Sequence, residues 1–197
     1  NIAMSYTIQE LKLFIYKYVN VFLGVRLRQQ TGGAWREFKK FINQSNTGSV
    51  FKMGCLTFNI DRETIYIINN YEKLRIKDKL QLYNGATWFS GKFIIDKKTK
   101  LCNSHNKSFL MLPENLYKEG LYIRQWNDGD KLISSTSNNH VKISDIFINN
   151  KLSKYEKMIQ PIVVNRSDRI LWIPGLLHGN VTHNQNTQMK VINWIEL

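Results

Sequence analysis

Residues 121–175 read LYIRQWNDGDKLISSTSNNHVKISDIFINNKLSKYEKMIQPIVVNRSDRILWIPG, and the order of patterns inside this stretch decides the fold class. Leu121–Ile123 is a short apolar run with strand character, and it leads into Asn127-Asp128-Gly129, residues that favour a turn. Val141–Asn149 and Ser153–Ile159 carry apolar residues at the spacing of two short helices. Ile162–Val164 and Ile170–Ile173 are continuous apolar runs that read as strands around a hairpin turn at Asn165–Arg169, closed by Pro174-Gly175. Strands and helices succeed one another without regular β-α alternation. The stretch therefore predicts an α+β fold and argues against a doubly wound parallel sheet.

Moving towards the N-terminus, Thr7-Ile8-Gln9-Glu10 has the form of a capping box, followed by apolar residues at Ile8, Leu11, Ile15, Tyr18, Val19 and Phe22 on one expected helix face. A helix over 8–23 follows from this spacing. Beyond a break at Gly32-Gly33, Trp35, Phe38, Phe41 and Ile42 repeat the period, while Arg36, Lys39 and Lys40 fall on other faces of a short basic helix. Ser49–Met53, Leu56–Ile60 and Thr64–Ile68, separated by Gly54 and by Asp61-Arg62-Glu63, predict a small β-meander. Between 69 and 120 the pattern is weaker, with strand character at Leu80 and Leu82, Phe93–Ile95 and Phe109–Leu112, and a basic turn at Lys97–Lys100. Two domains are expected: 1–70, two helices plus a meander, and 71–197, with its core motifs in 121–175.

At 197 residues and 43% hydrophobic content the chain can bury a real core, which excludes disorder throughout. Its net charge of +13 points to a polyanionic partner, nucleic acid first. Segments 1–70, 71–119 and 120–197 carry excesses of 5, 5 and 3 positive charges, so the charge lies on folded segments and not in one basic tail. The competing reading is charge that serves solubility alone, on a protein-interaction or dimerisation module. Lys12, Lys17, Asn20, Arg26 and Arg28 interrupt the apolar N-terminal region, so no membrane span is expected there. That region lacks a small-residue cleavage site and the chain opens with Asn1, which reads as a fragment and not as a secretory precursor. Cys55 and Cys102 form no CxxC pair; two reduced thiols in a cytoplasmic protein suit this spacing, and a disulfide stays open as the alternative.

Chemistry-bearing constellations are few. Thr31-Gly32-Gly33 lacks the Gly-Lys-Ser/Thr of a Walker loop and reads as a plain turn between helices. No G-x-S-x-G occurs, so nothing marks a nucleophile, and a free-standing enzyme is not expected. His178 and His183 have no Cys or Glu at zinc-like spacing, and His105 and His140 are remote, so no metal site is expected. Asp128 and Asp130 read as solvated carboxylates of a turn. The basic residues are more telling. Lys142, Lys151, Lys154 and Lys157 gather near the two short helices, with Arg124 and Lys131 at the edge. If Ile143, Ile146, Phe147 and Tyr155 face the core, these cations remain in water together, able to track a phosphate backbone or merely to be solvated. Trp126 and Trp172 are expected to be buried.

Arg124-Gln-Trp126-Asn-Asp-Gly129-Asp130-Lys131, Val141-Lys142-Ile143-Ser144-Asp145-Ile146-Phe147-Ile148, Pro161-Ile-Val-Val164 and Ile170-Leu-Trp172-Ile173-Pro174-Gly175 follow one another in an order and spacing that resembles the C-terminal domain of bacterial tRNA(Ile)-lysidine synthetase. Residues 7–68 are more weakly similar to that family's middle domain. The resemblance implies an enzyme that uses ATP to activate a wobble cytidine of an isoleucine tRNA and joins lysine to it. It also implies that ATP and Mg belong to an N-terminal domain with a Ser-Gly-Gly-x-Asp-Ser loop. This sequence has no such loop, so no cofactor is expected here and the portion alone should be inactive. As the tRNA-gripping portion it would hold the acceptor stem and body in the cytoplasm, with a homodimer as a further partner. The C-terminal unit is also similar in expected fold to a module of the phenylalanyl-tRNA synthetase β chain. The family commonly has Arg where Lys131 and Lys157 stand, so charge is kept here but bidentate phosphate geometry is not. RNA-contacting candidates are thus Arg124, Lys131, Lys142, Lys151, Lys154 and Lys157, with Arg36, Lys39 and Lys40 as the second group.

Overall fold

The structure, a computed structural model, describes residues 7–24, 30–62, 64–89, 91–96, 107–181 and 188–196. Lys97–Lys100, Cys102, His105 and His183 lie outside the described residues. The chain divides into two compact units, Asn1–Leu74 with Ser153–Tyr155, and Arg75–Leu152 with Glu156–Leu197.

In the first unit, helix α1 spans Ile8–Phe22 and opens with the expected capping box: Glu10 N–H donates to Thr7 Oγ1 at 3.2 Å, and Thr7 N–H donates to Glu10 Oε2 at 2.7 Å. The bond from the Thr7 backbone N–H, and after it one from the Thr7 hydroxyl to the same Oε2 at 2.8 Å, hold the Glu10 carboxyl below its usual range. Helix α2 spans Gly32–Gln44. Thr31 caps it by accepting from Ala34 N–H at 3.3 Å, so Gly32 and Gly33 form its first turn and not the expected break. Strands β1 (Val50–Met53), β2 (Leu56–Asp61) and β3 (Thr64–Asn69) form the meander in order, all antiparallel. Gly54 takes a φ of +60° in the β1–β2 turn, a conformation that suits a residue without Cβ. Ile15 and Val19 of α1 and Trp35, Phe38 and Phe41 of α2 pack with Leu56, Phe58 and Ile60 in one core, where the Phe38 and Phe58 rings are 4.5 Å apart.

Only Leu11, Ile15 and Val19 of α1 are buried. Tyr18 and Phe22, read as part of that face, point out of the core, and Phe22 is 70% exposed. A position three or seven residues from a buried one is up to 60° off its line around the helix, which is enough to leave a narrow contact.

The second unit is built on a five-stranded antiparallel sheet in the order β13 (Leu177–His178), β12 (Ile170–Ile173), β11 (Ile162–Asn165), β8 (Leu121–Arg124), β4 (Leu80–Gln81). The continuous apolar runs in β11 and β12 arise because both faces of this sheet are covered. On one face, Ile123, Val163 and Leu171 share a core with Phe93, Leu110, Leu112, Ile192 and Trp194. Those partners belong to a four-stranded sheet ordered β5 (Thr87–Trp88), β6 (Gly91–Asp96), β14 (Met189–Glu196), β7 (Phe109–Pro113). A short helix, α3 (Glu114–Lys118), follows β7.

On the other face, Ile162, Val164, Ile170 and Ile173 pack with Leu132, Ile143, Ile146 and Phe147. Leu132 comes from a two-stranded ladder of β9 (Lys131–Ile133) and β10 (His140–Lys142). The other three come from helix α4 (Ile143–Asn149), and α5 (Lys154–Ile159) follows. The helix expected from Val141 is thus strand up to Lys142: Val141 pairs with Leu132 in the ladder, which uses its backbone before the helix begins. Trp172 is fully buried, and its Nε1–H donates to Lys107 O at 3.1 Å. Trp126, expected to be buried, is half-buried against the α4 side with its ring 5.5 Å from Phe147, because it sits in the turn after β8 and not in the strand. The architecture is α+β.

Candidate nucleic-acid interface

The basic residues divide by what their charges meet. Arg124 ends β8 and is 8% exposed. Its Nη1 and Nη2 donate to the two Asp130 oxygens at 2.7 and 3.0 Å, its Nε donates to Asp168 Oδ1 at 3.1 Å, and Nη1 also donates to Gln125 O at 2.9 Å. Burial works against its charge, but the hydrogen bonds and negative charges of Asp130 and Asp168 outweigh this and raise its pKa. A guanidinium held this way has few donors left for RNA. Arg124 therefore does not stand at the edge of a solvated surface, and Asp130 is not a solvated turn carboxylate. Asp168, missed in the sequence because it reads as one more hairpin-turn residue, sits at a φ of +65° and also lies 3.8 Å from Lys79 Nζ.

Lys131 and Lys142 are both exposed and sit directly opposite each other in the β9–β10 register. Strand alternation puts Leu132 and Val141 on the inner side of this ladder and leaves Lys131, Ile133, His140 and Lys142 on the outer one. Lys154 and Lys157 lie three residues apart on α5, with Lys154 exposed and Lys157 half-buried. Among the described residues, none of Lys131, Lys142, Lys154 and Lys157 takes part in an ion pair. Lys151 is exposed just after α4 at a φ of +56°. On α2, Arg36 is exposed, Lys39 is half-buried, and Lys40 pairs with Glu37 at 3.1 Å. The sequence reading also missed an exposed apolar stripe on α1, where Leu13, Phe14, Val21 and Phe22 are 61% exposed or more.

The Ser-Gly-Gly-x-Asp-Ser loop is absent from the sequence, and the Thr31 hydroxyl is engaged as a helix cap. Among the described residues, no three His, Cys, Asp or Glu side chains gather to hold a metal ion. Cys55 is an exposed, free thiol. No helix among the described residues is long and apolar enough to cross a membrane.

Comparison with known proteins adds a relationship to this geometry. The chain is 32% identical over 74 residues to a tRNA(Ile)-lysidine synthase of Shouchella clausii, covering 37% of this chain and 16% of that protein. Against the tRNA(Ile)-lysidine synthase of Bacillus subtilis it is 36% identical over 72 residues, 36% of this chain and 15% of that one. The chain is related to the tRNA(Ile)-lysidine synthases. A bifunctional TilS/HprT protein of Listeria monocytogenes is 24% identical over 106 residues, covering 54% of this chain and 16% of its own length. The matched stretches thus span about a sixth of these relatives. Among solved structures, the crystal structure of a TilS C-terminal domain is similar at a TM-score of 0.48 and 22% identity, covering 61% of this chain and 91% of that one. No family model matches the chain.

Proposed function

We propose that this chain is the tRNA-holding portion of a tRNA(Ile)-lysidine synthase, acting in the cytoplasm on an isoleucine tRNA through its acceptor stem and body. The observation that carries the reading is the kinship with these synthases in a chain of net charge +13 whose Lys131, Lys142, Lys154 and Lys157 have no acidic partner among the described residues. Lysines without acidic neighbours are ready to exchange counterions for phosphates, the main source of affinity for RNA. The ATP-dependent ligation of lysine to the wobble cytidine then belongs to a part of such an enzyme that these residues do not supply. An electrophoretic shift with isoleucine tRNA and with a tRNA of other identity tests the reading. Binding that weakens steeply with salt supports it, and absence of binding at low salt overturns it.

A second reading, a protein-interaction module in which charge serves solubility, is favoured by the exposed stripe Leu13, Phe14, Val21 and Phe22 on α1. It predicts concentration-dependent association, including pairing with a second copy, together with a flat salt response towards tRNA.

A further inference from the structure

Lys131 and Lys142 break a local rule. In the β9–β10 ladder they face each other in register, and side chains at directly opposed positions have Cβ atoms about 5 Å apart, where like charges destabilise the pair. Neither has an acidic partner among the described residues to offset this. Asp130, next to Lys131 in sequence, is consumed by Arg124, and Asp145, the nearest carboxylate in sequence to Lys142, accepts from the Ser144 hydroxyl at 3.2 Å. A conflict of this kind, left standing in an otherwise well-packed unit, marks a place where a ligand supplies the missing charge.

The surrounding bonds hold the pair in place. Asp130 immediately precedes Lys131, and its carbonyl accepts from the N–H of Ile143, the residue after Lys142, at 3.0 Å. Asp130 Oδ2 also accepts from Asn127 N–H at 2.8 Å, which ties the turn to the same carboxylate. Asp130 is therefore gripped on its side chain by Arg124 and bonded on its main chain to the first residue of α4, directly after the far strand. Below, Leu132 is 1% exposed and Ile143 fully buried, which anchors the inner side of the ladder in the core. The two ammonium groups are left to project from the outer side of a fixed platform.

We propose that Lys131 and Lys142 form a clasp for a single backbone phosphate of the bound RNA, and that Arg124 is a positioning residue that sets the clasp through Asp130 without touching RNA. The clasp rests on the tRNA-holding reading above. One phosphate between two ammonium groups relieves their repulsion, and the same anion then serves as the partner of both lysines. Two opposed lysines serving one phosphate differ measurably from two independent contacts, because the salt dependence counts phosphates neutralised and not lysines present.

The test uses the full chain and an isoleucine tRNA transcript, with binding followed by fluorescence anisotropy across a salt series. Lys131→Ala combined with Lys142→Ala is expected to lower the slope of log affinity against log salt by about 0.7 to 0.9, the value for one phosphate. The affinity lost in the double variant should fall short of the product of the two single losses. A slope change of twice that size, or losses that multiply, assigns the lysines to separate phosphates and overturns the clasp. Lys131→Arg with Lys142→Arg should retain most of the affinity. The alanine double variant should hold or raise the thermal midpoint, since repulsion is removed; a lowered midpoint makes the pair structural and overturns the proposal.

For Arg124, Arg124→Lys should weaken binding in the parent and have no further effect in the chain lacking both lysines. Equal weakening in both backgrounds overturns the positioning role. Asp130→Asn, nearly isosteric, gives the same comparison if Arg124→Lys does not fold. Failure of the parent to bind tRNA overturns the proposed function and the clasp with it. Binding by the parent that is indifferent to the two lysines overturns the clasp alone.

Discussion

The indole of Trp194 lies against Gly91 so closely that a Cβ added at Gly91 would stand 2.0 Å from two of its ring carbons. The two residues belong to neighbouring strands of the four-stranded sheet, Gly91 opposite Glu196 and Trp194 opposite Phe93, and the Trp194 ring also meets the Phe93 ring at 4.7 Å. A ring held on both sides cannot withdraw without opening the core. Gly91→Ala is therefore expected to destabilise the second unit by about 1 to 3 kcal/mol, the usual range for overpacking. Thermal denaturation checks this, and an unchanged midpoint would contradict the contact.

Trp172 and Trp126 should differ. Trp172 is fully buried with its N–H bonded, whereas Trp126 is half-buried beside Phe147. Trp172→Ala is expected to cost about 3 to 5 kcal/mol, and Trp126→Ala clearly less. Urea denaturation of the two variants ranks them directly.

His178 makes stability depend on pH. Burial lowers its pKa below the usual histidine value, the hydrogen bond of Nε2 with Phe109 O at 2.7 Å opposes this, and the charge of Lys107 adds to the lowering. The folded chain then binds the proton less readily than the unfolded one. Its contribution is complete above about pH 6.5, the unfolded value, and is lost as pH falls from there through the lowered folded value. His178→Gln removes this dependence. Thermal midpoints of parent and variant at about pH 8 and about pH 5 should converge on acidification; a gap that stays constant or widens would count against the assignment.

The two sides of α1 should respond oppositely to substitution. Ile15 is 4% exposed and Val19 fully buried, while Phe14 is 61% and Phe22 70% exposed. Ile15→Ala should cost about 2 to 5 kcal/mol. Phe14→Ser with Phe22→Ser should leave the thermal midpoint nearly unchanged, within about 0.5 kcal/mol per site, and reduce association seen by light scattering.

Features set by neighbours in sequence were legible. The Thr7–Glu10 box, the three meander strands and the runs at Ile162–Val164 and Ile170–Ile173 need only local spacing, and the structure contains each of them. The kinship motifs were legible for the same reason, since order and spacing along the chain are what a sequence displays. Side-chain fate was less so. Tyr18 and Phe22 carry the helical period of α1, yet the contact with the core is narrower than the apolar face.

By itself the sequence determined the α+β class, the basic character and the lack of a phosphate loop, because these depend on composition, on period, and on which residues are absent. Only the tertiary structure decided what each charge does. Arg124 was expected to stay in water, but it finds Asp168 at a separation of 44 residues, a partner that sequence spacing cannot reveal. Lys131 and Lys142, eleven positions apart, become opposed only once the β9–β10 register exists. A charge acts through its distance to other charges and to water, and those distances are fixed by packing.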